Sequence, residues 1–268
     1  MFGRRHRPAP TAAPARPALP DSCVVWAIGD IHGRADLLRP LVEEMLADLA
    51  RSPAARRVLV FLGDYVDRGP QSAQVLDILS DLSIRPGLET WFLRGNHEDR
   101  LLAFLGDPEI GRVWSEYGGR ETLSSFGVQP PSTRADTSSW QEASRALGDA
   151  LPLAHSQFLA GLGLSVSIGD YFFSHAGARP GVDLEDQAPE DLMWIRHEFL
   201  QSRSSFARVV VHGHTPSAFV HSDTRRIGID TGAYATGVLT GLRLEKEDRL
   251  ILQASSENGA IVLRRKGL

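Results

Sequence analysis

The stretch "CVVWAIGDIHGRADLLRPLVEEMLADLARSPAARRVLVFLGD" (residues 23–64) holds two apolar runs separated by one long amphipathic segment. The runs at 23–28 and 58–62 are almost continuously apolar, which is typical of strands buried on both faces. Between them, apolar residues recur at three- and four-residue intervals, which predicts a helix that begins at about Arg34–Asp36. Strand, helix and strand in this order indicate an α/β fold.

The rest of the chain extends this pattern. "QSAQVLDILSDL" (71–82) has helical periodicity, and "TWFLRGN" (90–96) and "VVVHGH" (209–214) have strand character. The last three apolar runs predict an antiparallel meander with turns at "KED" and "ENG". The segment 106–160 is helical and loop-like, so we expect an insertion lying over one edge of the sheet.

The first twenty residues differ from the body in composition. They are rich in proline and arginine and contain no acidic residue. Because such a segment has little to bury, we expect a disordered tail over 1–20 and a single domain over 21–268. The tail has no continuous apolar stretch of the kind found in a secretion signal.

Charge and composition narrow the classes of function. The net charge is −4, and the four tail arginines leave −8 for residues 21–268, which argues against binding nucleic acid through phosphate contacts. No apolar run approaches the roughly 18 residues of a membrane span. The single cysteine, Cys23, cannot form an internal disulfide. We therefore expect a cytoplasmic protein with neither a nucleic-acid nor a membrane partner.

Five short motifs place polar side chains where predicted strands end. Ligands bind at the carboxyl ends of strands in α/β sheets, so these side chains are expected to meet. Oxygen and imidazole groups without thiolates suit Mn, Fe or Zn. Carboxylates and imidazoles gathered in one place would be unstable without a cation. The motifs are "GDIHG" (29–33), "GDYVDRG" (63–69), "GNHE" (95–98), "SHAG" (174–177) and "HGHT" (212–215).

This ordered set resembles the metallophosphoesterases, and specifically the phosphoprotein-phosphatase branch of bacterial serine/threonine phosphatases. The resemblance covers about residues 24–245, except 106–160. It implies a calcineurin-like α/β fold in which two mainly mixed β-sheets are sandwiched between helices. It also implies two divalent metal ions, for which we expect manganese, with iron and zinc as alternatives. Asp30 and His32 would hold the first metal, Asp64 would bridge both, and Asn96, His175 and His214 would complete the second.

The same resemblance assigns the remaining site residues. His97 would be the general acid, Asp67 would orient it, and Arg68 would bind a phosphate oxygen. In "MWIRHEF", Arg196 stands where a second phosphate-binding arginine is usual. Two more residues have two interpretations each, independent of the resemblance. Tyr234 would lean over the substrate or pack locally at an edge, and Glu98 would brace its loop or place a charge at a helix N-terminus.

The two histidines of "HGHT" need separate interpretations. Side chains at i and i+2 can share one face of a strand, so spacing alone does not separate them. Related phosphoesterases often use a Gly-His-x-His pair, but here the position two after His214 is Pro216. We therefore expect His214 to be the ligand and His212 to pack beside it.

The function that follows is hydrolysis of phosphoserine and phosphothreonine in a phosphoprotein or phosphopeptide. An alternative is a symmetrical dinucleoside polyphosphate hydrolase acting on diadenosine tetraphosphate, although such enzymes usually carry "GNHD" where this chain has "GNHE". A third possibility is an inactive phosphate-binding scaffold, which the complete set of motif residues disfavours. Tyrosine specificity and the oligomeric state stay open.

Overall fold

A computed structural model describes residues 16–268. The runs of β-branched and aromatic residues form strands, several of them buried along their whole length. In chain order these are β1 (Cys23–Ile28), β2 (Arg56–Phe61), β3 (Glu89–Phe92), β4 (Ser165–Ile168), β5 (Tyr171–Ser174), β6 (Val209–His212), β7 (His221–Ser222), β8 (Arg226–Gly228), β9 (Val238–Glu245), β10 (Asp248–Glu257) and β11 (Ala260–Gly267).

Helices connect the parallel strands and make up the insertion. The predicted start of the first helix is confirmed. The α-helices are α1 (Ala35–Arg51), α2 (Ser72–Ser83), α3 (Asn96–Gly106), α4 (Gly111–Trp114), α5 (Arg120–Ser125), α6 (Thr137–Ala150), α7 (Leu153–Ala160), α8 (Pro189–Trp194), α9 (His197–Leu200) and α10 (Ala233–Thr236). A π-helical turn over Ser115–Gly119 joins α4 to α5.

The strands form two mixed sheets, as expected. The first has the order β11-β10-β9-β1-β2-β3, and the second has the order β4-β5-β6-β8-β7. Strand β1 is parallel to β2 and antiparallel to β9, while β6 is parallel to both β5 and β8. The C-terminal strands β9, β10 and β11 form the predicted meander.

The alternation of side chains along β1 separates two apolar layers. Val25 and Ala27 pack with Phe173 and Val211 between the sheets. Trp26 and Ile28 point the other way and pack with α1, α2 and the insertion. A third cluster covers the outer face of the second sheet beneath α8 and α9. The four layers are helices, sheet, sheet and helices, which confirms the expected architecture.

The N-terminal segment meets the body earlier than expected. Most of the tail for which we expect disorder, residues 1–15, lies outside the described part of the chain. Leu19 is buried, its N–H donates to the carbonyl of Lys246, and the Tyr171 hydroxyl donates to the carbonyl of Pro17. Residues 17–19 therefore contact the body of the domain, and the boundary at residue 20 stays a prediction. Within residues 16–268, no helix combines the length and apolarity that spanning a membrane requires.

Candidate metal centre

The side chains expected to bind metal meet at the carboxyl ends of the central strands. All six are buried, with exposed fractions of 7% or less. Because parallel strands end at the same edge of a sheet, motifs far apart in the chain become neighbours here. In chain order they are Asp30 and His32 after β1, Asp64 after β2, Asn96 at the start of α3, His175 after β5 and His214 after β6.

Asp64 lies at the middle of this centre. Its Oδ2 is 3.4 Å from Nε2 of His32, and its Oδ1 is 3.3 Å from Nε2 of His175. The same Nε2 of His175 lies 3.0 Å from Oδ1 of Asn96 and 3.1 Å from Nδ1 of His214. Two buried His/Asp clusters thus share one carboxylate, which is consistent with a dinuclear metal site.

Two of the histidines are held in the tautomer that a metal requires. Nδ1 of His32 donates to the carbonyl of Val66 at 2.9 Å, and Nδ1 of His175 donates to the carbonyl of Leu62 at 2.9 Å. In both rings the lone pair is therefore on Nε2, the atom that faces Asp64. Burial lowers the pKa of His32 to about 3, so this ring is neutral and able to ligate.

Unpartnered buried atoms test whether these residues fit metal ions. Oδ1 of Asp30 and Nε2 of His214 have no hydrogen-bond partner among the described residues. Burial and the carboxylates of Asp230 and Asp64 raise the pKa of Asp30 well above its usual range. An uncompensated carboxylate in such a place is costly, and a cation removes the cost. The residues fit two divalent metals, but an O/N donor set does not decide which metal.

The backbone is strained at three of the expected ligands and at two residues of the loop beside them. A φ in the left-handed region is unfavourable for residues other than glycine and costs on the order of 1–3 kcal/mol each. Such angles persist where the surroundings enforce them, and they concentrate at functional sites. They occur at His32 (47°), Asp64 (52°), Asp67 (71°), Arg68 (68°) and His214 (65°).

His97 lies beside the centre in an arrangement that fits a proton donor. Its Nδ1 is 2.7 Å from Oδ2 of Asp67, while its Nε2 is 3.9 Å from Oδ2 of Asp64 and 3.2 Å from Nη2 of Arg68. Burial lowers the pKa of His97, but the charge of Asp64 and the hydrogen bond that His97 donates to Asp67 outweigh this effect and raise the pKa. The ring is therefore held beside Asp64 and is biased toward the charged form.

The insertion supplies two partners of Asp67 that the sequence analysis missed. The indole Nε1 of Trp114 donates to Oδ2 of Asp67 at 2.8 Å, and the hydroxyl of Thr122 donates to Oδ1 at 2.6 Å. The glycine pair in "WSEYGGRET" (114–122) was the available signal, since it marks a sharp bend in a helical segment. That signal does not say which residue the bend would contact.

Glu98 braces the loop, as predicted. Its buried carboxylate accepts hydrogen bonds from the backbone N–H groups of Asp64, Tyr65, Val66 and Gly95, at 2.7–3.2 Å. One side chain therefore accepts hydrogen bonds both from the turn after β2 and from the residue before α3. This fixes the position of Asp64 relative to Asn96.

A cleft of about 580 Å³ opens beside the metal centre. Arg68 and the exposed Arg196 both line it, as does His97. Tyr234 lies at the rim on the other side of Arg68, with its ring 4.5 Å from the Arg68 guanidinium and edge-on to His32. Trp194 and Arg100, which no sequence motif indicated, form a wall of the cleft with a cation–π contact of 4.7 Å.

His212 and His214 occupy different surroundings. His214 contacts His175 in the metal centre, and its backbone N–H donates to Oδ2 of Asp30 at 2.9 Å. The ring of His212 instead packs edge-on against Phe199, and its Nε2 lies 3.1 Å from Nη1 of Arg226. This placement agrees with the expected division between a ligand and a packing residue.

Comparisons with known proteins agree with this geometry. Residues 23–249 match the calcineurin-like phosphoesterase family. An asymmetrical bis(5'-nucleosyl)-tetraphosphatase, PrpE, of Geobacillus sp. (strain WCH70) is 27% identical over 85% of this chain and 93% of its own. PrpE of Bacillus cereus (strain B4264) is 28% identical over the same shares.

A solved structure supports the fold. The cold-active protein-tyrosine phosphatase of a psychrophile, Shewanella sp., superposes with a TM-score of 0.57 at 17% identity, covering 92% of this chain and 80% of that one. The narrower protein-phosphatase branch stays a prediction. With a family match over most of its length and two buried clusters suited to a metal pair, the chain belongs to the calcineurin-like phosphoesterases and is a metal-dependent phosphoesterase.

Proposed function

We propose that this chain hydrolyses dinucleoside polyphosphates such as diadenosine tetraphosphate. The observation that carries the proposal is the aromatic cleft that opens directly onto the metal centre. The names of the PrpE relatives point the same way. This reverses the order of preference from the sequence, in which a phosphoprotein was the first choice and the dinucleotide the alternative.

The walls of the cleft suit a nucleoside joined to phosphates. Trp194, Tyr117, Val113 and Ile110 provide apolar and aromatic surface, and the Tyr117 side chain is 61% exposed. Stacking of a base on an aromatic side chain contributes about 1–3 kcal/mol and needs no specific base. Arginines supply the forked donors that phosphate oxygens accept, and here they are Arg68, Arg100 and Arg196.

A second cavity flanks Arg68 on its other side. It has a volume of about 560 Å³ and is lined by Tyr117, Gly118 and Tyr234 among others. Two cavities that meet at one phosphate-binding arginine suit a substrate with a nucleoside at each end. Because the aromatic cleft reaches Asn96 and His97, a nucleoside in it would lie close to the reacting phosphorus. This favours asymmetrical cleavage, to ATP and AMP, over the symmetrical cleavage considered from the sequence.

The roles of the side chains follow from their positions. Asp30, His32 and Asp64 would hold one metal, and Asp64, Asn96, His175 and His214 the other. When bound, the two metals supply an activated water and neutralise charge on the phosphoryl group. Arg68 and Arg196 hold the remaining phosphoryl oxygens in line with the attack. His97 donates the proton on Nε2 to the departing oxygen, with its ring oriented by Asp67.

A phosphoserine or phosphothreonine protein phosphatase is the second candidate. The observation that favours it is the buried His97–Asp67 pair at 2.7 Å. A serine alkoxide is a much stronger base than a nucleotide phosphate, so its departure depends more on such an acid. A scaffold function stays the third candidate, and turnover of any phosphate ester would exclude it.

Steady-state kinetics on purified protein discriminate between these functions. We expect kcat/KM for diadenosine tetraphosphate to exceed that for a phosphoserine peptide, with ATP and AMP as the separated products. Asp64→Asn serves as the blank for contaminating phosphatases. A preference for the phosphopeptide would overturn the proposal, and two ADP per substrate would overturn the asymmetrical cleavage. Activity of metal-free protein after reloading with Mn, Fe or Zn tests the proposal that manganese is the metal.

A further inference from the structure

We propose that Trp114 and Thr122 are positioning residues for proton transfer by His97, acting through Asp67. Their side chains come from the insertion, and both donate hydrogen bonds to Asp67, the partner of His97. The inference rests on the proposed role of His97 as the proton donor and is independent of which phosphate ester is the substrate.

The hydrogen bonds of Asp67 carry this inference. Its Oδ2 accepts from both Nδ1 of His97 and Nε1 of Trp114, at 2.7 and 2.8 Å. Its Oδ1 accepts from the hydroxyl of Thr122 at 2.6 Å. Both carboxylate oxygens are therefore directed by fixed donors, and rotation of the carboxylate would break at least one bond.

Thr122 also holds the backbone of Asp67. Its N–H donates to Oγ1 of Thr122 at 2.9 Å and to Oγ of Ser72 at 3.1 Å. Thr122 thus contacts Asp67 at both the main chain and the side chain, at a residue whose φ is 71°. All of these side chains are buried, with Asp67 and Thr122 at 0% and Trp114 at 2% exposed.

Arg68, the residue after Asp67, also contacts the insertion. The N–H of Arg68 donates to the carbonyl of Gly118 at 3.2 Å. A Cβ at Gly118 would lie 2.4 Å from that nitrogen, so the close approach requires glycine. The segment 114–122 is therefore built against the loop that carries Asp67 and Arg68.

These contacts affect the transfer of one proton, which passes from Nε2 of His97 to the leaving oxygen. As water attacks phosphorus and the P–O bond to the leaving group breaks, its electron pair stays on the leaving oxygen, which takes the proton from Nε2 of His97. A ring that Asp67 no longer orients delivers this proton more slowly. Loss of a hydrogen-bond partner that orients a metal ligand typically costs about 10–100-fold, and we expect a loss of similar size when His97 is no longer oriented. The loss should fall on kcat, because neither residue is needed to hold the phosphate.

Two aryl phosphates report on proton transfer. p-Nitrophenyl phosphate has a good leaving group that needs little protonation, whereas phenyl phosphate releases a more basic phenolate. We expect Trp114→Phe and Thr122→Val to lower kcat on phenyl phosphate about 10–100-fold and to lower it much less on p-nitrophenyl phosphate. KM and metal content should stay within about twofold of the parent.

Matched variants separate positioning from packing. Thr122→Ser keeps the hydroxyl and should restore kcat. Trp140→Phe makes the same change in the same insertion, also beside Phe104, at an indole N–H without a hydrogen-bond partner among the described residues, and should leave kcat unchanged. Equal losses on both aryl phosphates, loss of metal, or failure of Thr122→Ser to restore kcat would overturn the proposal.

His97→Asn is the reference for the whole scheme. If it lowers kcat selectively on phenyl phosphate and the Trp114 and Thr122 variants do not, only their positioning role is overturned. If His97→Asn shows no selectivity, the role of His97 fails and the positioning role fails with it. Either result leaves the preference for a dinucleotide substrate as a separate question, decided by the kinetics described above.

Discussion

Nε2 of His175 lies 3.3 Å from Oδ1 of Asp64, while Oδ2 of the same carboxylate faces Nε2 of His32 at 3.4 Å. One buried carboxylate therefore serves two clusters, each of which is incomplete without it. An amide cannot replace it, since it offers a single oxygen and brings N–H donors toward the metal position.

Asp64→Asn should remove most bound metal and lower phosphatase activity at least 100-fold. Metal content by elemental analysis and turnover of p-nitrophenyl phosphate measure the two effects. Asp149→Asn, at an exposed helical position, is the matched control and should change neither. Full metal content in Asp64→Asn would show that the carboxylate does not bridge.

His214→Ala should weaken binding of one metal by more than tenfold, whereas His212→Ala should leave metal affinity unchanged. The reason is that His214 contacts His175 in the centre while His212 packs on Phe199. Titration of metal-free protein with Mn²⁺ gives both affinities. Equal weakening by the two variants would contradict the assignment.

Acid stability should depend on His212. Burial lowers the pKa of this ring to about 3, so below pH 6.5 the unfolded chain binds a proton that the folded one does not. This contribution to stability is present above pH 6.5 and is lost as the pH falls toward the folded pKa. The free energy of unfolding should therefore fall less steeply with decreasing pH in His212→Gln, by about 1.4 kcal/mol per pH unit between pH 6 and 4. Urea unfolding of the parent and the variant, with a chelator present, gives the free energy of unfolding at each pH. An equal dependence on pH in the two proteins would refute the prediction.

Gly213→Ala should displace a predicted metal ligand. A Cβ there would lie 1.9 Å from Oδ1 of Asp30, whose other oxygen accepts a hydrogen bond from the backbone N–H of His214. We expect loss of metal and of more than 90% of activity, by analogy with the roughly tenfold or larger cost of disturbing ligand support. Gly148→Ala, within α6 and with open space around it, should retain activity and gain up to about 1 kcal/mol of stability in urea unfolding. An active Gly213→Ala variant would show that the turn can relax.

Trp194→Ala should distinguish nucleotides from simple esters. Loss of one stacking surface is expected to raise KM for diadenosine tetraphosphate about 5- to 150-fold, from the roughly 1–3 kcal/mol of base stacking. Turnover of p-nitrophenyl phosphate should change less, by under about twofold, because this ester carries no nucleobase to stack. A parallel loss on both substrates would argue that Trp194 supports the metal centre instead.

Much of the fold and of the centre was predictable because the information is local. Buried strands are recorded as apolar runs, and the ligands follow them directly in short glycine-flanked motifs. The start of α1, the meander of β9, β10 and β11, and the meeting of His32, Asp64, His175 and His214 followed from these patterns.

The contacts of the insertion were not predictable in this way. Trp114 and Thr122 reach Asp67 across 47 and 55 residues of chain, and no periodicity or motif records where a bent helical segment will dock. The same holds for the cleft, since Trp194 and Tyr117 become neighbours only once separate segments pack.

By itself, the sequence determined that this chain is an α/β protein with a metal-binding set of carboxylates and imidazoles, because hydrophobic period and ligand chemistry are local properties. Only the tertiary structure decided which donors hold Asp67 and which aromatic side chains line the cleft beside the centre. These properties depend on packing between distant segments, where sub-ångström differences in approach decide which hydrogen bonds form.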